Sequence, residues 1–541
     1  MNKKQISEKL SLIAKFLTIL NDNPFKIKAF ENAARTIQQV ENFGYLLENR
    51  ELNKIKGVGK SIEQEIYKLI ADEDSSLYKE LINKIPEGLQ EILTLKGLGA
   101  KKVKILYEDL GITTIGELEY ACNENRLMLL KGFGKKTQEN ILKSIKKFKQ
   151  RKMLLHYPDA ELIVREIFNE IYSQKVAKQI AVTGDFRRKL EVIGVIDFVI
   201  VLEDKDNFKK KFGESKNLKI FDFYIEYVET EFFGKKVRFF IAEKDDFQKI
   251  LFLTTGSEKF LENFETIKDF VTEPDFFKKN ELNFIIPELR EKHLLNIAPD
   301  KIINYNDIKG IFHIHTTYSD GSNSIEEIVK YLKKSGFKYA GISDHSKSAF
   351  YANGLNEDEI KRQHEEIDYL NEKYAPFKIF KGIESDILKD GSLDYKDSVL
   401  ELFDFVIASV HSSFNLSEKD MTERIKRAIE NPYTTILGHP TGRLILFRDS
   451  YRVDINKILE ALSENDKFVE INSHPYRLDL SWENCIKASK LGIKFFINPD
   501  AHNLEGFKYL KYGINVARKA GLQREEILNS YELYKFTAQL S

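Results

Sequence analysis

Apolar side chains recur every three to four positions over residues 1–150, as in SEKLSLIAKFLTIL (7–20) and PFKIKAFENAARTIQQV (24–40). That spacing gathers them on one face of an α-helix and predicts a helical region. The period then changes. KQIAVTGDF (178–186), GVIDFVIVL (194–202), FYIEYV (223–228) and KKVRFFIA (235–242) are strand-length runs rich in β-branched and aromatic residues. Residues 246–290 return to a mixed pattern, and REKHLLNIAPDKIINYNDIKG (290–310) has no clear period, as expected of an interdomain linker. Beyond it, GIFHIH, YAGISDH, FKIFKGIES, FDFVIASVH, TTILGHP, KFVEINS and IKFFINPDAH alternate with helical segments. Seven such strands predict a (β/α)7-type barrel, with its site at their carboxyl ends.

Charge adds little globally, because 84 Lys and Arg balance 84 Asp and Glu. It matters locally. KGFGKKTQENILKSIKKFKQRK (131–152) holds nine basic residues and one acid, which suits either a solvated helix face or a phosphate-contacting surface. Cys122 and Cys485 can build neither a disulfide framework nor a cysteine zinc site, so a reducing compartment fits. MNKKQISEKLSLIAKF reads as an amphipathic helix rather than a secretory leader, and no run approaches the ~18 apolar residues of a membrane span. A cytoplasmic monomer without a membrane partner is expected.

One motif occurs three times in the helical region, as IKGVGKSIEQEI (55–66), LKGLGAKKVKIL (95–106) and LKGFGKKTQENI (130–141). This is the helix-hairpin-helix pattern. Two glycines let the turn approach a DNA backbone closely, and amides at the next helix start can hold a phosphate without reading sequence. The candidate DNA-binding residues are Lys56, Gly57, Gly59 and Lys60, then Lys96, Gly97 and Gly99, then Lys131, Gly132, Gly134 and Lys135.

Polar clusters follow most of the strands beyond residue 310. They hold His313, His315, Asp320, His345, Glu384, His411, His439, Asp500 and His502. An H-x-H on a strand puts both imidazoles on one face, and a barrel would gather the clusters at one rim, as a multinuclear metal site requires. From 309 to 541 the chain resembles the PHP (polymerase and histidinol phosphatase) domain, with all nine ligand positions of that family filled. The resemblance implies a trinuclear centre. His313, His315, Glu384 and Asp500 would hold one metal, Glu384 with His411 and His439 a second, and Asp320, His345 and His502 a third. His313, His315, Glu384, Asp500 and His502 would carry the catalysis. Mixed imidazole and carboxylate ligands suit Mn²⁺, Zn²⁺ or Fe²⁺. Such ions lower the pKa of a bound water and stabilise a phosphoryl group in displacement, so phosphoester hydrolysis is the implied reaction. Lys347, Arg443 and Arg477 lie near the clusters and could meet phosphate oxygens or form surface ion pairs. His474 is a candidate for substrate contact or for support of a ligand.

Residues 1–290 resemble the family X DNA polymerases. With the second half, the chain resembles a bacterial family X polymerase fused to a PHP domain. TGDFRRKLEVIGVIDFVIV (183–201) aligns without gaps to the family pattern G-S-x-R-R…G-D-x-D, and TTGS (254–257) and IIPELRE (285–291) match later landmarks. Nucleotidyl transfer on that fold uses three carboxylates to hold two Mg²⁺. Gly184, Arg187 and Arg188 are kept. Asp185 replaces the small serine, Val195 replaces the first carboxylate, and Arg238 falls where the third belongs, so Asp197 stands alone. Arg187 and Arg188 could still meet phosphates or pair with Asp185 and Glu191. The lysine that forms a Schiff base in the family is replaced by Glu65, which cannot form an imine, leaving Lys60 or Lys68 nearby as substitutes.

The expected fold is multidomain, α and α/β. It comprises helix-hairpin-helix domains at 1–75 and 76–150 (the second fingers-like), a degenerate nucleotidyltransferase palm at 151–245, a thumb-like domain at 246–290, a linker at 291–308 and the PHP barrel at 309–541. The expected activity is 3′-5′ exonuclease or 3′-end processing, extending to abasic-site incision, on gapped, nicked or 3′-ended DNA, with polymerase chemistry lost. Three alternatives stand: an active repair polymerase using Asp197 with Glu191 or Glu226, a small-molecule phosphatase of the histidinol-phosphatase type, and a non-enzymatic DNA-binding scaffold, against which the filled ligand set argues.

Overall fold

The structure, a computed structural model, describes residues 3–40, 43–71, 75–150, 154–214, 218–223, 227–267, 269–292 and 295–540. The chain forms two compact units, Met1–Phe148 and Lys149–Ser541. Among the described residues no helix is long and apolar enough to cross a membrane.

The first unit is helical, as the periodicity predicts. In the helix Lys3–Ile19, the side chains of Ile6, Leu10, Ile13 and Leu17 form the buried stripe. Asn23 caps the next helix, Pro24–Gln39, by accepting from the Phe25 amide, with Pro24 at the first turn where no amide is missed. Thr114 and Glu117 form a reciprocal capping box on Ile115–Asn123. Glu65, at the expected Schiff-base position, is buried and accepts from the Ser75 hydroxyl.

The second unit opens with a five-stranded sheet of β1 (Ala177–Thr183), β2 (Ile196–Leu202), β3 (Leu218–Phe223), β4 (Tyr227–Phe232) and β5 (Lys235–Ile241), in the order β1-β2-β5-β4-β3. β2 and β5 run parallel and the other pairs antiparallel. β2 is an interior strand, buried along nearly its whole length, which explains its continuous apolar run. FYIEYV spans the end of β3 at Phe223 and the start of β4 at Tyr227, and residues 224–226, with Glu226 among them, lie outside the described residues. A separate short ribbon pairs Leu155–His156 with Val192–Ile193. In 246–290 the aromatic rings of Phe252, Phe260, Phe276 and Phe277 pack together. The fully buried guanidinium of Arg290 lies over Phe252 and Phe277 and bonds Glu273 at 2.6 Å. In the stretch that follows, the Ile303 amide donates to Leu522 and the Lys309 amide to Asn529.

The barrel consists of β6 (Gly310–Ile314), β7 (Tyr339–Ile342), β8 (Lys378–Asp386), β9 (Phe405–Ser409), β10 (Ile436–Leu437), β11 (Phe468–Asn472) and β12 (Phe495–Asn498). All seven run parallel in sequential order, as expected of the (β/α)7 pattern. The seam closes at the carboxyl end, where the His315 amide donates to Ala501 (2.9 Å) and the Ala501 amide to His313 (3.1 Å). Lower down, the Asn529 side chain replaces strand pairing by bonding the Ile497 amide and carbonyl and the Gly310 carbonyl. The floor is aromatic: Phe312 meets Phe405, Phe496 and Phe536 at ring distances of 5.0–5.1 Å. Gly341 makes this packing possible, since a Cβ there would lie 2.1 Å from the Phe312 ring.

Candidate functional site

The nine predicted side chains converge at the carboxyl rim of the barrel. His313, His315, Asp320, His345, Glu384, His439, Asp500 and His502 are buried, and His411 is partly buried. Donor atoms of His315, Asp320, His345 and His502 lie within 4.8 Å of one another. The same limit holds for His313 with His315 and Asp500, for His313 with Glu384 and His439, and for His345 with Glu384 and His411. Glu384 is the hub. Its carboxylate lies 2.9 Å from His439 and His345 and 3.2 Å from His313 and His411. His315 and His345 thus stand between groups, whereas the resemblance assigns each to one metal.

H-x-H meets at this site through an irregularity rather than through the pleat. β6 shifts register between Ile311 and Ile314, His313 has φ +55°, and His315 lies beyond the strand. His439 (φ +26°) and Asp500 (φ +52°) are also in the left-handed region. Each such residue costs about 1–3 kcal/mol and persists only where its surroundings over-determine it.

Two carboxylates that the motif reading missed orient the imidazoles. Glu470 accepts from His313 Nδ1 at 2.6 Å, leaving Nε2 aimed into the cluster. Asp386 does the same for His411 Nδ1 at 2.6 Å. Carboxylate–histidine pairs of this kind set the tautomer of a metal ligand. Their signal was an acid inside an apolar strand run, FVEIN and GIESD. Burial pulls the His411 ring down, but Glu384 and Asp386 outweigh it and push it up to about 9. Burial opposes ionisation of Glu384 and Asp500, yet the surrounding imidazoles hold both well below the carboxylate range.

The donor set fits divalent cations. His313 Nε2, His315 Nε2 and Glu384 Oε2 are buried and make no hydrogen bond. Such atoms are costly to bury unless a positive centre meets them. Six imidazoles with three carboxylates suit borderline metals rather than Mg²⁺ alone.

The remaining candidates divide. His474 is buried, its ring against Tyr476 and Tyr509, with Nδ1 accepting from the Tyr476 amide. Arg477 lies 3.9 Å from Asp500. Lys347 is exposed and pairs with Glu357. Arg443 does not face the cluster: it bonds Glu191 at 2.6 Å and the Arg477 carbonyl at 2.9 Å. Glu191 is thus the partner of Arg443 rather than of Arg187 or Arg188.

At the palm, the parallel register sets Arg238 of β5 directly beside Asp197 of β2. The two form a bidentate pair at 2.7 and 2.9 Å. Asp197 is therefore neutralised by a fixed cation where metal ions would need an open carboxylate. Gly184 (φ +61°) packs on it, since a Cβ there would lie 2.6 Å from Asp197 Oδ2. Val195, at the first-carboxylate position, precedes β2 and offers no ligand. Arg187 bonds Glu273 twice, at 2.9 and 2.7 Å, and Arg188 bonds Asp185, Glu291 and the Thr255 carbonyl. Both arginines are thus bonded to acids and carbonyls of this unit, with the expected Asp185 pairing present for Arg188.

In the first unit the three hairpins repeat one geometry. Gly57, Gly97 and Gly132 have φ of +88°, +93° and +88°. The apolar residue between the glycines, Val58, Leu98 or Phe133, is buried as an anchor. Lys56, Lys60, Lys96, Lys131 and Lys135 are exposed, as are all six glycines. Gly59, Gly99 and Gly134 face open space at the start of the following helix, the geometry of an amide anion site.

Comparisons with known proteins agree in outline. Residues 1–74 match a helix-hairpin-helix domain, 89–147 a SAM-like helix-hairpin-helix tandem, and 312–474 the PHP domain. The chain is 34% identical over 561 residues to the DNA polymerase/3'-5' exonuclease PolX of Bacillus subtilis (strain 168), covering 98% of both chains. Over 229 residues it is 31% identical to a probable phosphatase of Thermoanaerobacter sp. (strain X514), covering 40% of this chain and 89% of that protein. Among solved structures, histidinol phosphate phosphatase from Lactococcus lactis with zinc, L-histidinol and phosphate matches 40% of this chain and 94% of that one, at 19% identity and a TM-score of 0.32.

Proposed function

The chain belongs to the bacterial family X DNA polymerases that carry a C-terminal PHP domain, and we propose that it works there as a metal-dependent nuclease that trims 3′ ends of gapped or nicked DNA and no longer polymerises. One contrast carries the reading. The barrel rim keeps all nine donor side chains in overlapping groups of three or four, while the palm keeps a carboxylate at one of the family's three positions, Asp197, and it is bonded to Arg238. The exonuclease name of the Bacillus relative and the phosphatase names of barrel relatives support hydrolysis as the chemistry.

His313, His315, Asp320, His345, Glu384, His411, His439, Asp500 and His502 would hold the metals, of which Mn²⁺, Zn²⁺ and Fe²⁺ fit the donors. When bound, such ions supply a water of lowered pKa and charge stabilisation for the phosphoryl group. Glu470 and Asp386 hold His313 and His411 in the ligating tautomer. Arg477, 3.9 Å from Asp500, would meet a phosphate oxygen. The hairpin lysines and glycine amides would hold the DNA backbone irrespective of sequence.

The test uses 5′- and 3′-labelled gapped duplex with Mn²⁺, with and without dNTPs. The wild type is expected to shorten the 5′-labelled strand from its 3′ end, to release the label of the 3′-labelled strand, and to extend nothing. His313→Ala should abolish the shortening, and Asp197→Ala should leave it intact. Extension that vanishes in Asp197→Ala would establish the polymerase instead. Faster hydrolysis of histidinol phosphate than of DNA would establish the phosphatase.

A further inference from the structure

The ribbon of Leu155–His156 against Val192–Ile193 stands apart from the palm sheet and reaches two barrel loops. One loop leaves the rim at His439 and returns at Tyr451. The other runs from His474 to Asp479. Each carries a group of the metal site: His439 in the first, and Arg477, 3.9 Å from Asp500, in the second.

Arg443 ties these loops together. It belongs to the first, yet donates to the carbonyls of Arg477 (2.9 Å) and Leu478 in the second. Its charge is met by Glu191, the residue preceding the second ribbon strand, at 2.6 Å. A second tie lies alongside. The Ile445 amide donates to the Tyr476 carbonyl at 2.7 Å, joining the same two loops. The Ile445 carbonyl accepts from His156 Nε2 at 2.8 Å. The His156 ring packs against Phe447 at 5.2 Å and Tyr476 at 4.7 Å, one ring from each loop. These two outer ties are each completed from the ribbon side, one by His156 and the other by Glu191 beside the second strand.

We propose that the ribbon is a clamp that sets His439 and Arg477 at the metal centre, with Glu191, Arg443 and His156 as positioning residues. The proposal rests on the phosphoesterase reading. It gives the palm a task that needs no nucleotidyl transfer. The first loop needs such a constraint, since His439 (φ +26°) and Gly442 (φ +58°) leave the rim through left-handed backbone. Inside the barrel, the Thr441 amide bonds Asp479 and the Tyr451 hydroxyl bonds the Pro440 carbonyl. These hold the base of the loop, while the clamp holds its outer half. Removing Glu191 leaves the partly buried Arg443 without its counter-charge, and the guanidinium turns to solvent rather than to the two carbonyls.

The experiment uses the full chain and bis(p-nitrophenyl) phosphate with Mn²⁺, a small diester that needs no DNA grip. Glu191→Ala and His156→Ala are each expected to lower kcat by roughly tenfold to a hundredfold, with KM and DNA affinity within about twofold of wild type. His156→Gln, which keeps a donor for the Ile445 carbonyl, should restore most of kcat. The clamp is overturned if folded Glu191→Ala and His156→Ala keep wild-type kcat. It is also overturned if lost activity follows the unfolded fraction measured by circular dichroism. No hydrolysis by wild type overturns the phosphoesterase reading, and the clamp with it.

Discussion

Glu470→Gln should weaken the metal centre without touching a metal ligand. The fully buried carboxylate receives four donors. Oε1 accepts from His313 Nδ1 (2.6 Å) and Asn498 Nδ2 (2.9 Å), and Oε2 from the His439 amide (2.8 Å) and Asn472 Nδ2 (3.3 Å). A glutamine amide has one accepting end. If its NH₂ faces His313, the ring must present Nδ1 as acceptor, and the proton moves to Nε2, the atom aimed into the cluster. If the NH₂ faces the His439 amide instead, a buried donor is orphaned at a cost of about 1–3 kcal/mol, on a residue already at positive φ. Either orientation damages one candidate ligand. Loss of an orienting carboxylate lowers metal affinity by about 10–100-fold, or roughly 1.4–2.7 kcal/mol. Calorimetric titration of chelator-treated protein with Mn²⁺ and with Zn²⁺ measures it. Wild-type stoichiometry and affinity in the variant would refute the assigned role of Glu470.

Three further outcomes follow from other parts of the molecule. Gly341→Ala drives a Cβ into the Phe312 ring (2.1 Å) and should cost about 1–3 kcal/mol or more, read as a fall in Tm with metal content retained. Burial alone would raise the Glu273 carboxyl, but its bonds to Arg187 and Arg290 outweigh that and hold it below the usual range. A depressed folded pKa gives stability that is present above the unfolded value of about 4.3 and is lost as pH falls through the folded one, so Tm should drop on acidification below about pH 4.3; Glu273→Gln should be less stable at neutrality and lack that component of the acid slope. Lys96→Ala, Lys131→Ala and Lys135→Ala should each weaken binding to duplexes of any sequence and reduce the salt slope by about 1, measured by fluorescence anisotropy across NaCl concentrations.

The barrel was legible because each of its strands is a short apolar run ending in a polar cluster, and a parallel barrel brings such ends to one rim. The helical hairpins were legible for a similar reason: a turn that needs a residue at φ near +90° selects glycine, and three turns did so. The apolar runs located β2 and β5, and the family spacing put Arg238 at the third-carboxylate position, but the bidentate pair follows from the parallel register that sets two residues 41 positions apart side by side. Glu470 and Asp386 were hidden because a carboxylate within an apolar strand does not reveal which imidazole it meets.

Glu191 shows where local reading ends. Its neighbours in the chain, Arg187 and Arg188, were the natural partners, yet they turn to Glu273, Glu291 and Asp185, and Glu191 meets Arg443, 252 residues away. Helix stripes, strand runs, glycine turns and the ligand inventory depend on residues within a few positions of one another, so a single chain displays them. Which acid neutralises which guanidinium, which carboxylate sets a histidine tautomer and how H-x-H bends at a bulge depend on surfaces joined by packing. Such pairings join residues as far apart as 41 positions for Asp197 with Arg238 and 252 for Glu191 with Arg443, which only the tertiary structure brings together.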